Sequence, residues 1–229
     1  MSGHDPLWVD TVLGLHVAAG SSAFVLAPLA LVTAKGGKAH RFWGKIYFWS
    51  MAGVAVTALT MAIYRPLLFL GLVAIFSFYA SFVAYRVLGQ KAAYKGEKTV
   101  KMLDWFAAVV CFAASALLAT LGAIRPHWVQ GLGIPAMVFG AIGMWIAGKA
   151  MWNFTHAPKE KMFWWYAHLQ GMIGSYIAAW TAFCVVTIGP RLGGSPWWLW
   201  VLPTAIGVPA IIMTTAYYRQ KFAPKRVAA

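Results

Sequence analysis

The chain has 229 residues, of which 61% are hydrophobic, 16% aromatic and only 10% charged, with a formal net charge of +14. A soluble domain carries roughly 25% charged residues, so this chain lacks the polar surface needed to sit in water, and its mean hydropathy of +0.68 agrees. The same composition excludes a disordered chain, a disulfide-stapled secreted scaffold and a nucleic-acid binder.

Seven stretches are free of Asp, Glu, Lys and Arg: 11–34, 46–64, 66–85, 105–124, 126–148, 162–190 and 192–218. A helix crossing a bilayer core needs about 20 mostly apolar residues. Inside hydrocarbon every backbone amide must be paired within its own helix or in a closed barrel, and these runs lack the alternation of barrel strands. The expected fold is all-α: one polytopic bundle over 1–229, with seven transmembrane helices at about 7–34, 42–64, 66–88, 102–124, 131–152, 162–189 and 197–218.

Helix 1 carries a stripe of small residues, Gly14, Ala18 and Ser22, of the kind that lets membrane helices approach closely. No basic segment or small-residue cleavage site precedes it, so a removed signal peptide is not expected. Helix 4 repeats the stripe with Ala107, Cys111 and Ser115, and helix 6 with Gly171, Gly174, Ser175 and Ala178. Pro28, Pro135, Pro203 and Pro209 interrupt helices 1, 5 and 7, and a kink is expected in helix 7. Trp8, Trp43, Trp105, Trp128 and Trp198 fall near helix ends, as interfacial anchors do. Cys111 and Cys184 fall at different depths, so no disulfide is expected.

Basic residues cluster after helix 1, between helices 3 and 4, between helices 5 and 6 and after helix 7, while Arg65, Arg125 and Arg191 alone fall on the other side. Excess Lys and Arg marks the cytoplasmic face. The N-terminus, with Asp5 and Asp10, is then outside and the C-terminus cytoplasmic, in a bacterial inner membrane.

Ionisable side chains at membrane depth are costly and are functional candidates by default. They are Asp10, His16, Asp104 and His168, of which the carboxylates lie near helix ends. On helix 6, His168, Met172 and Ser175 share one face, with Tyr176 beside them. The expected site is a cytoplasmic-side cluster of His40, Arg41, Asp104 and His168. Its competing role is a hydrogen-bonded lock joining helices 2, 4 and 6.

Several ordered motifs accompany these residues. Segment 35–47 approximates K-G-x-x-H-R-x-x-G-x-x-Y with His40 shifted by one place, and 168–183 reads H-x-x-x-M-x-x-S-Y-I-A-x-x-T-A-F. With Phe48-Trp49-Ser50-Met51, Phe76-Ser77-Phe78-Tyr79, Asp104-Trp105 and Val138-Phe139-Gly140, the chain resembles a family of bacterial integral membrane proteins catalogued only as a domain of unknown function. The resemblance implies a multi-pass helical fold and no particular activity. Gly171 stands where members of that family often carry an arginine.

Three functions compete. The first is a non-enzymatic accessory, assembly or ligand-binding component whose partners are the bilayer and other membrane subunits or a second copy; it needs no catalytic residues. The second is a b-type haem or quinone-linked electron-transfer protein. Haem iron commonly takes two axial ligands, His with His or Met, and His168 is the first choice, with His40, His16 or Met172 as its partner. Counting about 1.5 Å per residue, His16 lies about 28 Å from the cytoplasmic boundary and His168 about 10 Å, so those two should not share an iron. His40 reaches His168 only if the first loop dips inward. The third is a small-solute transporter, for which midplane carboxylates are lacking. Helix 7 has no lysine for a retinal Schiff base, and no H-E-x-x-H or nucleotide-binding glycine loop is present.

Overall fold

A computed structural model describes residues 6–223. Asp5, expected on the outer side, lies outside those residues, and the side chain of Trp197 is not described. Among the described residues every regular element is helical: α1 (Leu7–Val32), α2 (Lys38–Tyr64), α3 (Leu68–Arg86), α4 (Met102–Ile124), α5 (Gly133–Thr155), α6 (Phe163–Phe183) and α7 (Trp197–Phe222). All seven are long and apolar enough to cross a membrane, α3 and α6 with the short helical turns that continue them.

The surface states which solvent the fold expects. Leu13, Leu15, Val17 and Val25 on α1, and Ile206, Ile212 and Met213 on α7, are exposed along the helix shafts. In water, contiguous apolar surface on this scale drives association; in lipid it is simply the outer face.

Helix α3 is the hub, packed against α2, α4, α5 and α6; α1 rests on α2 and α6, and α7 leans mainly on α6. The densest core lies among α3, α4 and α5, around Phe69, Phe76, Tyr79, Cys111, Leu118 and Phe139. Small residues make that core: a Cβ at Gly140 would stand 2.6 Å from the Ser115 carbonyl oxygen and 2.7 Å from the Ala119 Cβ. The helix 4 stripe therefore packs as expected, with Cys111 and Ser115 fully buried.

The helix 1 stripe does not. Gly14, Ala18 and Ser22 face outward, and nothing lies within 4 Å of where a Gly14 Cβ would be. Helix α1 instead uses the neighbouring face, burying Ala23 and Ala27 against Tyr47 and Met51. In a membrane both faces of a helix are apolar, so small-residue spacing alone does not say which one packs. Helix α6 divides its stripe: Ser175 is buried and Gly171 touches α3, whereas Gly174 faces open space.

Four boundaries differ by three residues or more; α7 runs on to Phe222 rather than 218. Helix α2 begins at Lys38 rather than 42, because Gly36 in the left-handed region (φ +77°) closes the first loop in a tight turn. Helix α5 runs on to Thr155. Helix α6 ends at Phe183 and continues as a π-turn over Cys184–Ile188, then a short 3-10 turn over Gly189–Leu192. Helix α7 is continuous through Pro203 and Pro209. Both cysteines are free and buried.

Candidate functional site

The early start of α2 decides the site. It puts His40 on the first turn of a helix, and from there its Nδ1 lies 2.9 Å from the carbonyl oxygen of Ala30 in the last turn of α1. Final-turn carbonyls have no partner within their own helix, so the ring caps α1. His168 does the same for another helix: its Nδ1 lies 2.9 Å from the carbonyl oxygen of Ala84, in the last turn of α3. That reach depends on Gly171, one turn on, where a Cβ would sit 2.6 Å from the Ala84 Cβ. Only glycine lets α6 lie this close to α3.

A carbonyl oxygen only accepts. Each neutral ring must therefore carry its proton on Nδ1, which leaves Nε2 with a free lone pair. The two rings then meet: their centres are 6.2 Å apart and their planes cross at 78°. Both line a cavity of about 460 Å³ bounded by α1, α2, α3 and α6, a size within the range of about 300–1,000 Å³ usual for small-molecule sites.

The cavity deepens away from the histidines. Tyr47, about 10 Å further along α2 at 1.5 Å per residue, and Tyr176 on α6 wall its inner end, with Ala27 and Met172 between. The Tyr47 hydroxyl donates to the Ser175 hydroxyl at 2.7 Å, and Ser175 passes its own proton to the Met172 carbonyl at 2.9 Å. The Tyr176 hydroxyl donates to the Phe24 carbonyl at 3.2 Å. These bonds fix three helices around the apolar end.

A second cavity, of about 350 Å³, adjoins on the other side of the same histidines and opens toward the basic end of the bundle. It shares Leu31, His40, Arg41, His168 and Met172 with the first and adds Lys35, Lys91, Trp164 and Trp165. Lys35 caps the α1 carbonyls of Leu31 and Thr33, and Lys91 sits 4.1 Å above the Trp164 ring. Burial without an acid partner pushes the Lys35 ammonium below the ordinary lysine range.

The structure thus brings together His40, Arg41, His168, Met172 and Tyr176, with Ser175 directly behind. Two expected members stand apart. Asp104 lines neither cavity: it is 2% exposed and grips Arg86 through two bonds, Nε to Oδ1 at 2.7 Å and Nη2 to Oδ2 at 2.9 Å. It also accepts the Lys101 amide at 2.8 Å, capping α4. The lock it forms joins α3 to α4, not helices 2, 4 and 6, and it touches the cavity only through Arg86. His16 bonds the Thr57 hydroxyl at 2.9 Å, between α1 and α2, and lines neither cavity.

Tyr47, Arg86, Lys35 and Lys91 were not among the expected site residues, although Lys35 and Tyr47 open and close the motif over 35–47. Tyr47 carried a usable signal, since it follows His40 by two helical turns and shares its face. Arg86 carried none, because its partner lies on another helix.

No family model, curated protein or solved structure matches this chain.

What the arrangement can hold follows from its donors. Among the described residues no three His, Cys, Asp or Glu side chains converge, so the protein alone does not complete a four-coordinate metal site. Two imidazoles suffice for an iron whose remaining ligands come from a porphyrin, and the cavities offer apolar walls with cations at one end.

Proposed function

We propose that the protein is a multi-pass electron-transfer protein carrying one b-type haem between His40 and His168, in the cytoplasmic half of a bacterial inner membrane. The observation that carries this reading is the pairing of the two rings. A metal bonded by two imidazoles from opposite sides, at about 2.0–2.1 Å each, separates their ring centres by about 6 Å, and the observed separation is 6.2 Å. Carbonyl capping accounts for Nδ1 of each ring. It gives no reason for both rings to converge on one cavity with Nε2 unused; axial ligation does, and a backbone bond at the other nitrogen is how ligating histidines are usually oriented.

Bound haem would supply one-electron chemistry. The residues here would bind and aim it, with Tyr47, Met172 and Tyr176 excluding water from its inner edge. The basic loops favour a cytoplasmic position for the site, with the N-terminus outside. An accessory component binding a lipid-like ligand would use the same apolar walls but leaves the imidazole pair without a role.

The test is an optical spectrum of the protein purified from haem-replete cells, oxidised and then reduced. A six-coordinate low-spin spectrum is expected, lost in His40→Ala and His168→Ala and kept in His16→Ala. His168→Gly should regain it on addition of imidazole, which separates lost ligation from lost folding. A featureless spectrum, together with an apoprotein that takes up no added haemin, overturns the reading.

A further inference from the structure

The two cavities differ in chemistry, and the difference is directional. The inner one ends at Tyr47 and Tyr176; the outer one ends at Lys35, Lys91 and two tryptophans. Among the described residues neither lysine faces an acid. Asp104 is committed to Arg86, and Glu160 lies 3.2 Å from Arg219. No Asp or Glu among the described residues lines either cavity.

Both cations are nevertheless held in place. An ammonium has three N–H donors; the α1 carbonyls that steady Lys35 leave at least one of them unused, and the π face under Lys91 attracts its charge without a strong acceptor. Arg41 sits where the two cavities meet. Lys35 and Lys91 are exposed at the mouth of the outer cavity, and cations held there without counter-charges among the described residues favour an anionic group in their midst through charge-assisted bonds.

We infer that the outer cavity is a carboxylate-binding subsite in which Lys35 and Lys91 hold the acid groups of the ligand. The ligand is thereby oriented with its acid edge at the basic end of the bundle and its apolar edge toward Tyr47 and Tyr176. The inference rests on the haem reading for the ligand's identity, since haem carries two carboxylates on one edge of an apolar plate, and it adds which way round the plate lies.

The test compares haemin with haemin dimethyl ester, which lacks free acid groups, by titrating each into the apoprotein and following the Soret band. The full-length protein should prefer the free acid by about tenfold or more. The double variant Lys35→Ala, Lys91→Ala should bind both porphyrins equally. A second double variant, Lys38→Ala with Lys95→Ala, removes as much charge from residues lining neither cavity and should keep the preference; this separates local contact from the general field of the basic face. Equal binding of both porphyrins by the unaltered protein, or a preference that survives loss of Lys35 and Lys91, overturns the subsite and leaves the haem reading standing. If neither porphyrin binds any form, both readings are overturned.

Discussion

Between α4 and α5, Gly122, Gly133 and Gly140 bring backbone against backbone, so that a Cβ at Gly122 would stand 2.7 Å from the Gly133 carbonyl oxygen, and Gly143 makes room for the Ser115 side chain. On the side formed by α1, α2 and α6, Gly14, Gly44 and Gly174 have nothing within 4 Å. Those three positions are open where the α4–α5 glycines are closed, although Gly171 on α6 packs as tightly against α3, and Gly44 lines the inner cavity. Helices in lipid gain little from hiding apolar surface, so close van der Waals fit is what binds them. The tightly fitted half serves as the scaffold, and the loosely fitted half has room for a ligand.

Substitutions can break that contrast. The largest effect is expected at the hinge between the halves, where Asp104 holds Arg86. Asp104→Ala removes both bonds to the partly exposed Arg86 and the cap on the Lys101 amide, and should cost about 2–4 kcal/mol, measured as a fall in unfolding midpoint in detergent. His40 and His168 keep their own carbonyl partners in that variant, so at temperatures where the protein remains folded the haem spectrum should persist.

Next in size is a matched pair of glycines. Gly140→Ala forces a methyl into the α4–α5 seam and should destabilise by about 1–3 kcal/mol. Gly14→Ala, facing open space, should stay within about 0.5 kcal/mol of the parent. Equal effects at both sites would erase the distinction between a closed and an open half.

The smallest change probes the inner cavity alone. Tyr47→Phe removes the bond to Ser175 but keeps the ring, and should cost about 1 kcal/mol in thermal unfolding. A much larger loss would mean that this side of the bundle is as tightly braced as the other.

Much of the architecture was legible from composition and charge spacing: seven apolar stretches became seven helices, most of them within a few residues of the expected limits. The shared face of His168, Met172 and Ser175 was also legible, since it follows from helical geometry alone. Less visible was the start of α2. The uncharged run begins after Lys45, whereas the helix begins at Lys38, because basic residues on a first turn can point into the headgroups while the backbone is already helical. The expected start at 42 lies one turn beyond the observed start at Lys38, and that turn separates a His40 stranded in a loop from one that meets His168.

By itself the sequence determined the solvent, the number of helices and the residues that share each helix face, because these depend on local hydrogen bonding and on the width of a bilayer. Only the tertiary structure decided that α6 packs on α3 and reaches α2 through Ser175 and Tyr47, that His40 faces His168, and that Asp104 belongs to Arg86. In water an apolar stripe announces the buried face of a helix. In lipid the outer face is as apolar as the inner one, so the choice of neighbours is left to small residues and a few polar contacts that only the folded bundle brings together.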